Sequence, residues 1–145
     1  MAGLILLLGV AAHGQERKVI APPEFGEQGS DRIPFSPGIL DGNTLYVSGE
    51  IGADLKTRSI PADFATEVKT CLQNIRLVLN AAGMDYSNVV FAQVYLTDMS
   101  RFQGMNEVYA KYFTSDFPAR STIQVAALPK GASVEIEVVA HFDAS

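Results

Sequence analysis

The spacing of apolar residues along the chain follows two periods, and the longer period marks two helices. Apolar side chains recur at three- and four-residue steps over about residues 61–82, which predicts an amphipathic helix with one buried stripe. Gly83 follows this segment as a natural C-terminal cap. The same spacing predicts a second helix over about residues 100–113. The buried side of that helix is expected to comprise Phe102, Met105, Val108, Tyr109 and Tyr112 or Phe113.

Alternation of apolar and polar residues, the period of a strand, marks most of the remaining chain. It predicts strands over residues 44–48 and 88–96. Residues 32–40 are interrupted by Pro34 and Pro37, which cannot donate to a ladder, and therefore form an edge or irregular strand. With two further strands near the C-terminus, the order is ββαβαββ. This order predicts an α+β fold in which two helices pack on one face of a mixed sheet.

Residues 118–140 place charged side chains inside β-patterned sequence. Arg120 and Thr122 share one parity of the first strand, and Glu135 and Glu137 share the polar parity of the second. A turn-like proline and glycine separate the two, which predicts a hairpin with one apolar face and one polar or charged face. A guanidinium on such a strand can clamp a carboxylate bidentately. Spacing alone favours a solvated outer face, because exposed ion pairs contribute little.

The composition describes one acidic globular domain. A length of 145 residues with 48% hydrophobic residues suffices for a hydrophobic core. The net charge of −5, with no basic cluster beyond Arg17-Lys18, argues against binding to a phosphate backbone, so no nucleic-acid partner is expected. A single cysteine, Cys71, excludes an intramolecular disulfide and is predicted to be a buried helix residue. His13 and His141 form no recognisable ligand cluster with it, so we expect no metal.

The beginning of the chain differs from the rest. An aliphatic run at residues 4–8, followed by small residues, is too short to span a bilayer but has the length of a signal-peptide h-region. No basic residue precedes this run. We expect residues 1–14 to be a signal peptide or an N-terminal extension, and residues 15–145 to form the domain. If the segment is a signal peptide, the protein is exported to the periplasm or secreted, with no membrane association in its mature form; otherwise it is cytoplasmic.

Three motifs lie close together near the C-terminus: Pro118-Ala119-Arg120-Ser121, residues 127–131 and residues 134–137. Together with residues 33–36, 45–51 and 105–109, they resemble the signature of the RidA family, also called YjgF/YER057c/UK114 and endoribonuclease L-PSP. The similarity covers roughly residue 20 to the C-terminus, with the elements in the family's order. The resemblance implies a chorismate-mutase-like fold and a homotrimer whose sites lie in the clefts between subunits.

The resemblance also implies a reaction. RidA-like enzymes hydrolyse 2-imino acids or their enamine tautomers to 2-keto acids and ammonia, with no metal or organic cofactor. Arg120 matches the family arginine that grips the substrate carboxylate, and the alternative for it is a surface or trimer-interface salt bridge. Glu135 matches the family glutamate that holds or activates the attacking water. Glu137 has the same parity, so spacing does not choose between the two; we follow the motif and treat Glu137 as solvated or structural.

Four further positions correspond to substrate-binding residues of the family. Ser48 and Asn106 match pocket residues, and their alternatives are a serine that bonds its own backbone and an exposed helical asparagine. Phe35 replaces a tyrosine common in the family, and Thr122 replaces a cysteine. These two departures leave open a second hypothesis, a non-catalytic trimer that binds small metabolites. A third, endoribonuclease activity, is disfavoured by the acidic charge.

Overall fold

The computed structural model describes residues 16–26 and 34–143, and the predicted signal segment at residues 1–14 lies outside them. That segment therefore stays a prediction. The described chain forms one six-stranded sheet and two α-helices. The strands are β1 (Lys18–Ile20), β2 (Gly38–Asp41), β3 (Thr44–Ile51), β4 (Val89–Leu96), β5 (Ala119–Gln124) and β6 (Val134–His141); the helices are α1 (Phe64–Ala81) and α2 (Phe102–Tyr109).

The sheet is mixed, as the element order predicts. Its strand order is β1-β2-β3-β6-β4-β5, with antiparallel neighbours except for the parallel pair β4 and β5. The predicted α+β class is therefore confirmed, with a short additional edge strand, β1, that the apolar pattern did not mark. Among the described residues, neither helix combines the length and the apolar character needed to cross a bilayer.

The predicted hairpin between β5 and β6 is wrong, because β4 lies between these strands. In β6, residues of one parity are fully buried, which suits a central strand with a partner on each side, here β3 and β4. In β5 no residue is fully buried, which suits an edge. The connection passes over the end of β4, where the Val125 amide donates to the Leu96 carbonyl at 2.9 Å.

Helix α1 supplies the centre of the core. Asp63 caps its start by accepting from the Thr66 amide at 2.8 Å, which places the first helical residue at Phe64 rather than at Pro61. Its predicted apolar stripe is buried against the sheet. Gly83 has a φ of +76° just past the end of the helix, as expected for a residue that terminates one.

Helix α2 is shorter than predicted and follows a 3-10 turn at Met99–Arg101. Met105, Val108 and Tyr109 are buried as expected. The prediction for Phe102 is wrong, since 39% of its surface is exposed. Its ring lies beside the guanidinium of Arg120, with 5.7 Å between the Arg120 Cζ and the ring centroid. The residue contributes to a polar site rather than to the core.

Candidate functional site

The predicted site residues fall into two groups. We call Asn106, Arg120 and Thr122 the arginine cluster. We call Phe35, Ser48 and Glu135, together with the adjacent Gly49 that the structure adds, the glutamate cluster. The first group lies where β5 meets α2. The second lies where β3 meets the start of β6, around a β-bulge in β3.

Arg120 is held by one face of α2. Its Nη2 donates to Oδ1 of Asn106 at 2.7 Å, and its Cζ lies 4.7 Å from the centroid of the Tyr109 ring. Phe102, Asn106 and Tyr109 follow one another at four- and three-residue steps, so their side chains stack on the same helix face. Asn106 is thus not the free exposed asparagine of the alternative interpretation. Among the described residues, Asn106 is the single hydrogen-bond partner of the Arg120 side chain, which leaves further donors of its fork free.

The Tyr109 hydroxyl is buried beside this arginine and has no hydrogen-bond partner. Within residues 16–26 and 34–143, it is the one buried side-chain polar atom that lacks such a partner. Burial raises the pKa of Tyr109, an effect that the positive charge of Arg120 partly offsets. The phenol is therefore neutral near pH 7. The apolar pattern predicts only that Tyr109 is buried. Its spacing of three residues from Asn106, which puts both on one helix face, could have indicated that it lies near Arg120.

A cavity of about 220 Å³ opens beside the guanidinium. Its lining is mostly apolar and consists of Asn106, Tyr109, Ala110, Phe117, Pro118 and Arg120. Phe117 is 67% exposed at this cavity, the highest fraction among the large apolar side chains of the described chain. Thr122 lies two residues beyond Arg120 on the same side of β5, half-buried and paired with Val94.

Glu135 is the free carboxylate of the second cluster. Its side chain packs against the backbone of Gly49 so closely that a β-carbon at Gly49 would lie 2.9 Å from the Glu135 Cδ. Burial, and then the nearby charge of Glu137, raises the pKa of Glu135. Glu137 accepts a hydrogen bond from the Tyr95 hydroxyl at 2.8 Å, whereas Glu135 has no hydrogen-bond partner among the described residues. This difference agrees with the structural interpretation of Glu137.

Ser48 joins the glutamate cluster to the segment that carries Phe35. Its hydroxyl donates to the Ser36 carbonyl at 2.6 Å, and the Ser48 amide donates to the Pro37 carbonyl at 3.0 Å. The alternative interpretation, that the Ser48 hydroxyl bonds its own backbone, is therefore wrong, because its acceptor lies twelve residues earlier in the chain. Phe35, next to Ser36, is 56% exposed.

Arg120 and Glu135 lie on opposite faces of the sheet. Arg120 is paired with the buried Ala92, and paired residues share a face, so Arg120 lies on the side that the helices cover. Glu135 is paired with Tyr95 and alternates with the buried Val134, so it lies on the open side. The prediction of one shared charged face is wrong, because β4 separates the two strands and sets their parity independently. One chain does not bring both groups into one pocket.

The sequence pattern also missed Glu50, which is 8% exposed below the glutamate cluster. The register of β3 shifts between Val47 and Glu50, and this bulge turns Glu50 toward the helix-covered side. Burial, and then the charge of Glu135, raises the pKa of Glu50 to about 8. Cys71, buried as predicted, donates its thiol to the Glu50 carbonyl at 2.9 Å. Across the described ranges, no three His, Cys, Asp or Glu side chains are grouped so as to hold a metal ion.

Comparison with known proteins places these residues in context. A family model described as Endoribonuclease L-PSP matches residues 29–142. A 2-iminobutanoate/2-iminopropanoate deaminase of Bos taurus is 48% identical over 108 residues, which span 74% of this chain and 79% of the relative. The crystal structure of RidA from an Antarctic Psychrobacter matches at a TM-score of 0.74 and 38% identity, over 76% of this chain and 89% of that one. The structure of E. coli TdcF with bound serine matches at a TM-score of 0.77 and 32% identity, over 87% of this chain and 99% of that one.

Proposed function

Because the chain belongs to the endoribonuclease L-PSP family, also called the RidA/YjgF family, we propose that it hydrolyses reactive 2-imino acids, or their enamine tautomers, to 2-keto acids and ammonia. The observation that supports this most is Arg120, whose oriented guanidinium keeps free donors beside an open cavity. A relative with 48% identity is named for this activity.

Arg120 binds the substrate carboxylate. Its planar fork matches a carboxylate in geometry and charge, and Asn106 fixes its orientation before the ligand arrives. The aromatic rings of Tyr109 and Phe102 contact the guanidinium and stabilise its charge without competing for its donors. Thr122, two residues beyond Arg120 on the same side of β5, supplies a small polar group near it.

Glu135 acts on the attacking water. Its raised pKa makes it a better base than an ordinary glutamate, and its position against Gly49 fixes the carboxylate. Water adds to C2 of the protonated imine while Glu135 takes a proton from it and returns that proton to the nitrogen. As the C–N bond breaks and ammonia leaves, the hydroxyl oxygen passes its proton to the Glu135 carboxylate and becomes the keto oxygen. The departing ammonia takes this proton as ammonium, which leaves Glu135 ready for the next turnover. Ser48 holds the segment with Phe35 at this cluster, where Phe35 borders the substrate.

The site is composite, and the protein is a homotrimer in which the arginine cluster of one copy meets the glutamate cluster of the next. The opposite faces of Arg120 and Glu135 support this, since a second copy is needed to bring the two side chains together. On the open sheet face, the exposed Tyr46 and Ile123 favour contact with another copy. A ring of identical head-to-tail contacts would complete every site. The number three follows the family.

The activity is tested by ammonia release from imino acids generated in situ by an amino-acid oxidase or dehydratase. We expect release that exceeds hydrolysis in buffer, is proportional to protein and saturates with substrate. Circular dichroism of the same sample checks that the assayed protein is folded, because it reports secondary structure and does not depend on catalysis. Release no faster than in buffer would refute the proposal, and saturable binding of a 2-keto acid without turnover would favour the non-catalytic alternative.

A further inference from the structure

The side chain of Tyr109 lines the cavity beside Arg120, yet its buried hydroxyl forms no hydrogen bond among the described residues. Tyr109 belongs to the hydrophobic core, and 5% of its surface is exposed. A buried hydroxyl without a partner destabilises a fold, and a phenylalanine would fill the same space without that cost. The packing of the core therefore gives no reason for a hydroxyl at this position.

The neighbours of the Tyr109 ring fix where this hydroxyl lies. The ring stacks on that of Phe113, with 4.3 Å between the two centroids and 26° between the two planes. It also contacts the guanidinium of Arg120, whose Cζ lies 4.7 Å from the Tyr109 centroid. A ring held by two neighbours in a close-packed core does not carry its hydroxyl to a distant partner. The partner must therefore come from the immediate surroundings.

Arg120 is the hydrogen-bond donor within reach of the Tyr109 oxygen. Burial raises the pKa of Tyr109, and Arg120 partly offsets this through its charge and as a hydrogen-bond donor. The guanidinium has further N–H groups besides the one that bonds to Oδ1 of Asn106. Because that bond holds the planar group at one nitrogen, the guanidinium can still turn about it. Such a turn changes the direction of the remaining N–H groups relative to the hydroxyl oxygen.

We propose that Tyr109 is a positioning residue whose hydroxyl accepts a hydrogen bond from Arg120 when a carboxylate binds to the guanidinium. A carboxylate takes two parallel donors of the fork and thereby fixes the plane of the guanidinium. Asn106 and the carboxylate then hold it at two places, and Tyr109 supplies the third acceptor. A hydrogen bond that forms in this bound arrangement alone shifts the equilibrium toward it. The inference rests on the proposed function and adds a residue to its carboxylate site.

Tyr109→Phe removes the hydroxyl and keeps the ring, so thermal stability and ligand binding should not fall together. Without ligand, the Tm of this variant should equal or exceed that of the wild type, because the unpartnered hydroxyl is gone. The Kd for pyruvate, measured by isothermal titration, should rise by about 10- to 140-fold, the range for one hydrogen bond to a charged group. In imino-acid hydrolysis the loss should appear mainly in KM, because the bond acts on carboxylate binding.

Tyr86→Phe is the matched control. Tyr86 also lies beside an arginine, with the Arg76 Cζ 5.9 Å from its ring centroid, but it is outside the lining of the cavity. Its hydroxyl already donates to the Leu72 carbonyl at 2.7 Å. This variant should therefore have a lower Tm and wild-type affinity for pyruvate. In an Arg120→Ala background, Tyr109→Phe should lower kcat/KM no further, since the hydroxyl acts through the guanidinium.

Two results would overturn the inference: a Tyr109→Phe protein that binds pyruvate as tightly as the wild type, or one whose Tm without ligand falls as in Tyr86→Phe. The second result would show that the hydroxyl already has a partner, such as a buried water molecule. Either result leaves the proposed function intact if the wild type hydrolyses imino acids. A wild type that binds pyruvate without hydrolysis refutes the proposed function, while the binding and Tm measurements still decide the role of Tyr109. A wild type that does neither refutes both.

Discussion

Replacing Arg120 with alanine should lower kcat/KM for imino-acid hydrolysis by about 30- to 5,000-fold, since truncating one partner of a desolvated charge pair costs about 2–5 kcal/mol. The substrate carboxylate would lose its oriented cation, and Asn106 would lose the donor that its amide oxygen now accepts from. The loss should appear mainly in KM, with a further loss in kcat from poorer orientation of C2. Steady-state kinetics of ammonia release measure both.

Two variants make the Arg120 result specific. Arg120→Lys keeps the charge but not the fork, so its kcat/KM should lie between those of the wild type and Arg120→Ala. Arg101→Ala is the matched control, because Arg101 also lies over an aromatic ring, with its Cζ 4.8 Å from the Phe64 centroid, but outside the cavity. A folded Arg120→Ala enzyme with near wild-type kinetics would contradict the role of Arg120.

Replacing Glu50 with glutamine should stabilise the protein at alkaline pH. The pKa of Glu50 is about 8 in the folded state against 4.5 ordinarily, so between these values the folded chain holds a proton that the unfolded chain has released. The stability associated with neutral Glu50 is therefore fully present below about pH 4.5 and is lost as the pH rises through about 8. Glutamine never ionises and avoids this loss.

The expected gain for Glu50→Gln at pH 8.5 is on the order of 4 kcal/mol in the free energy of unfolding, or roughly 10 °C in Tm. At pH 4 the two proteins should have nearly equal Tm, and thermal unfolding at fixed protein concentration across this range measures the difference. A Glu50→Gln protein that follows the wild-type pH dependence would show that Glu50 is not buried in its neutral form.

Glu67 provides a control in which the same substitution should lower, rather than raise, the free energy of unfolding. It is also a buried glutamate near Cys71, but its Oε1 accepts from the backbone amides of Ser133 and Val134 at 2.6 and 3.3 Å. Replacing this acceptor carboxyl with an amide weakens the hydrogen bonds that satisfy the start of β6, so Glu67→Gln should destabilise the protein by about 1–2 kcal/mol. Both substitutions replace a buried carboxyl with an amide. At Glu67 that carboxyl accepts two backbone hydrogen bonds, whereas at Glu50 burial and the nearby Glu135 raise its pKa.

The sequence predicts elements well where one pattern decides them. The apolar stripe of α1 and the alternation of β6 each depend on a single buried face, and both are found in the structure. The position of Gly83 follows equally from local backbone conformation, because a helix end favours a residue with positive φ. Such features require no knowledge of which elements are neighbours.

Features that depend on neighbouring strands were not predictable in the same way. Parity assigns the two faces of each strand but does not relate the faces of β5 to those of β6, and β4 between them places Arg120 and Glu135 on opposite sides. The bulge that turns Glu50 inward interrupts the alternation of β3 without a sequence signal other than Gly49. The contacts of Phe102 and Tyr109 with the Arg120 guanidinium exist because α2 packs beside β5. The apolar pattern of α2 predicts that these two rings are buried, but it does not indicate that they lie beside an arginine.

Mixing two impaired variants tests most directly whether imine hydrolysis takes place at a site shared by two copies. Arg120→Ala and Glu135→Gln, refolded together or co-expressed with different tags, should regain about a quarter of wild-type activity, since in a ring of identical interfaces one ordered pair in four joins an intact arginine cluster to an intact glutamate cluster. At substrate concentrations well below KM, each variant alone should show only its own low residual activity. Mixed oligomers, verified by both tags, that show no activity above the parent variants would contradict the composite site.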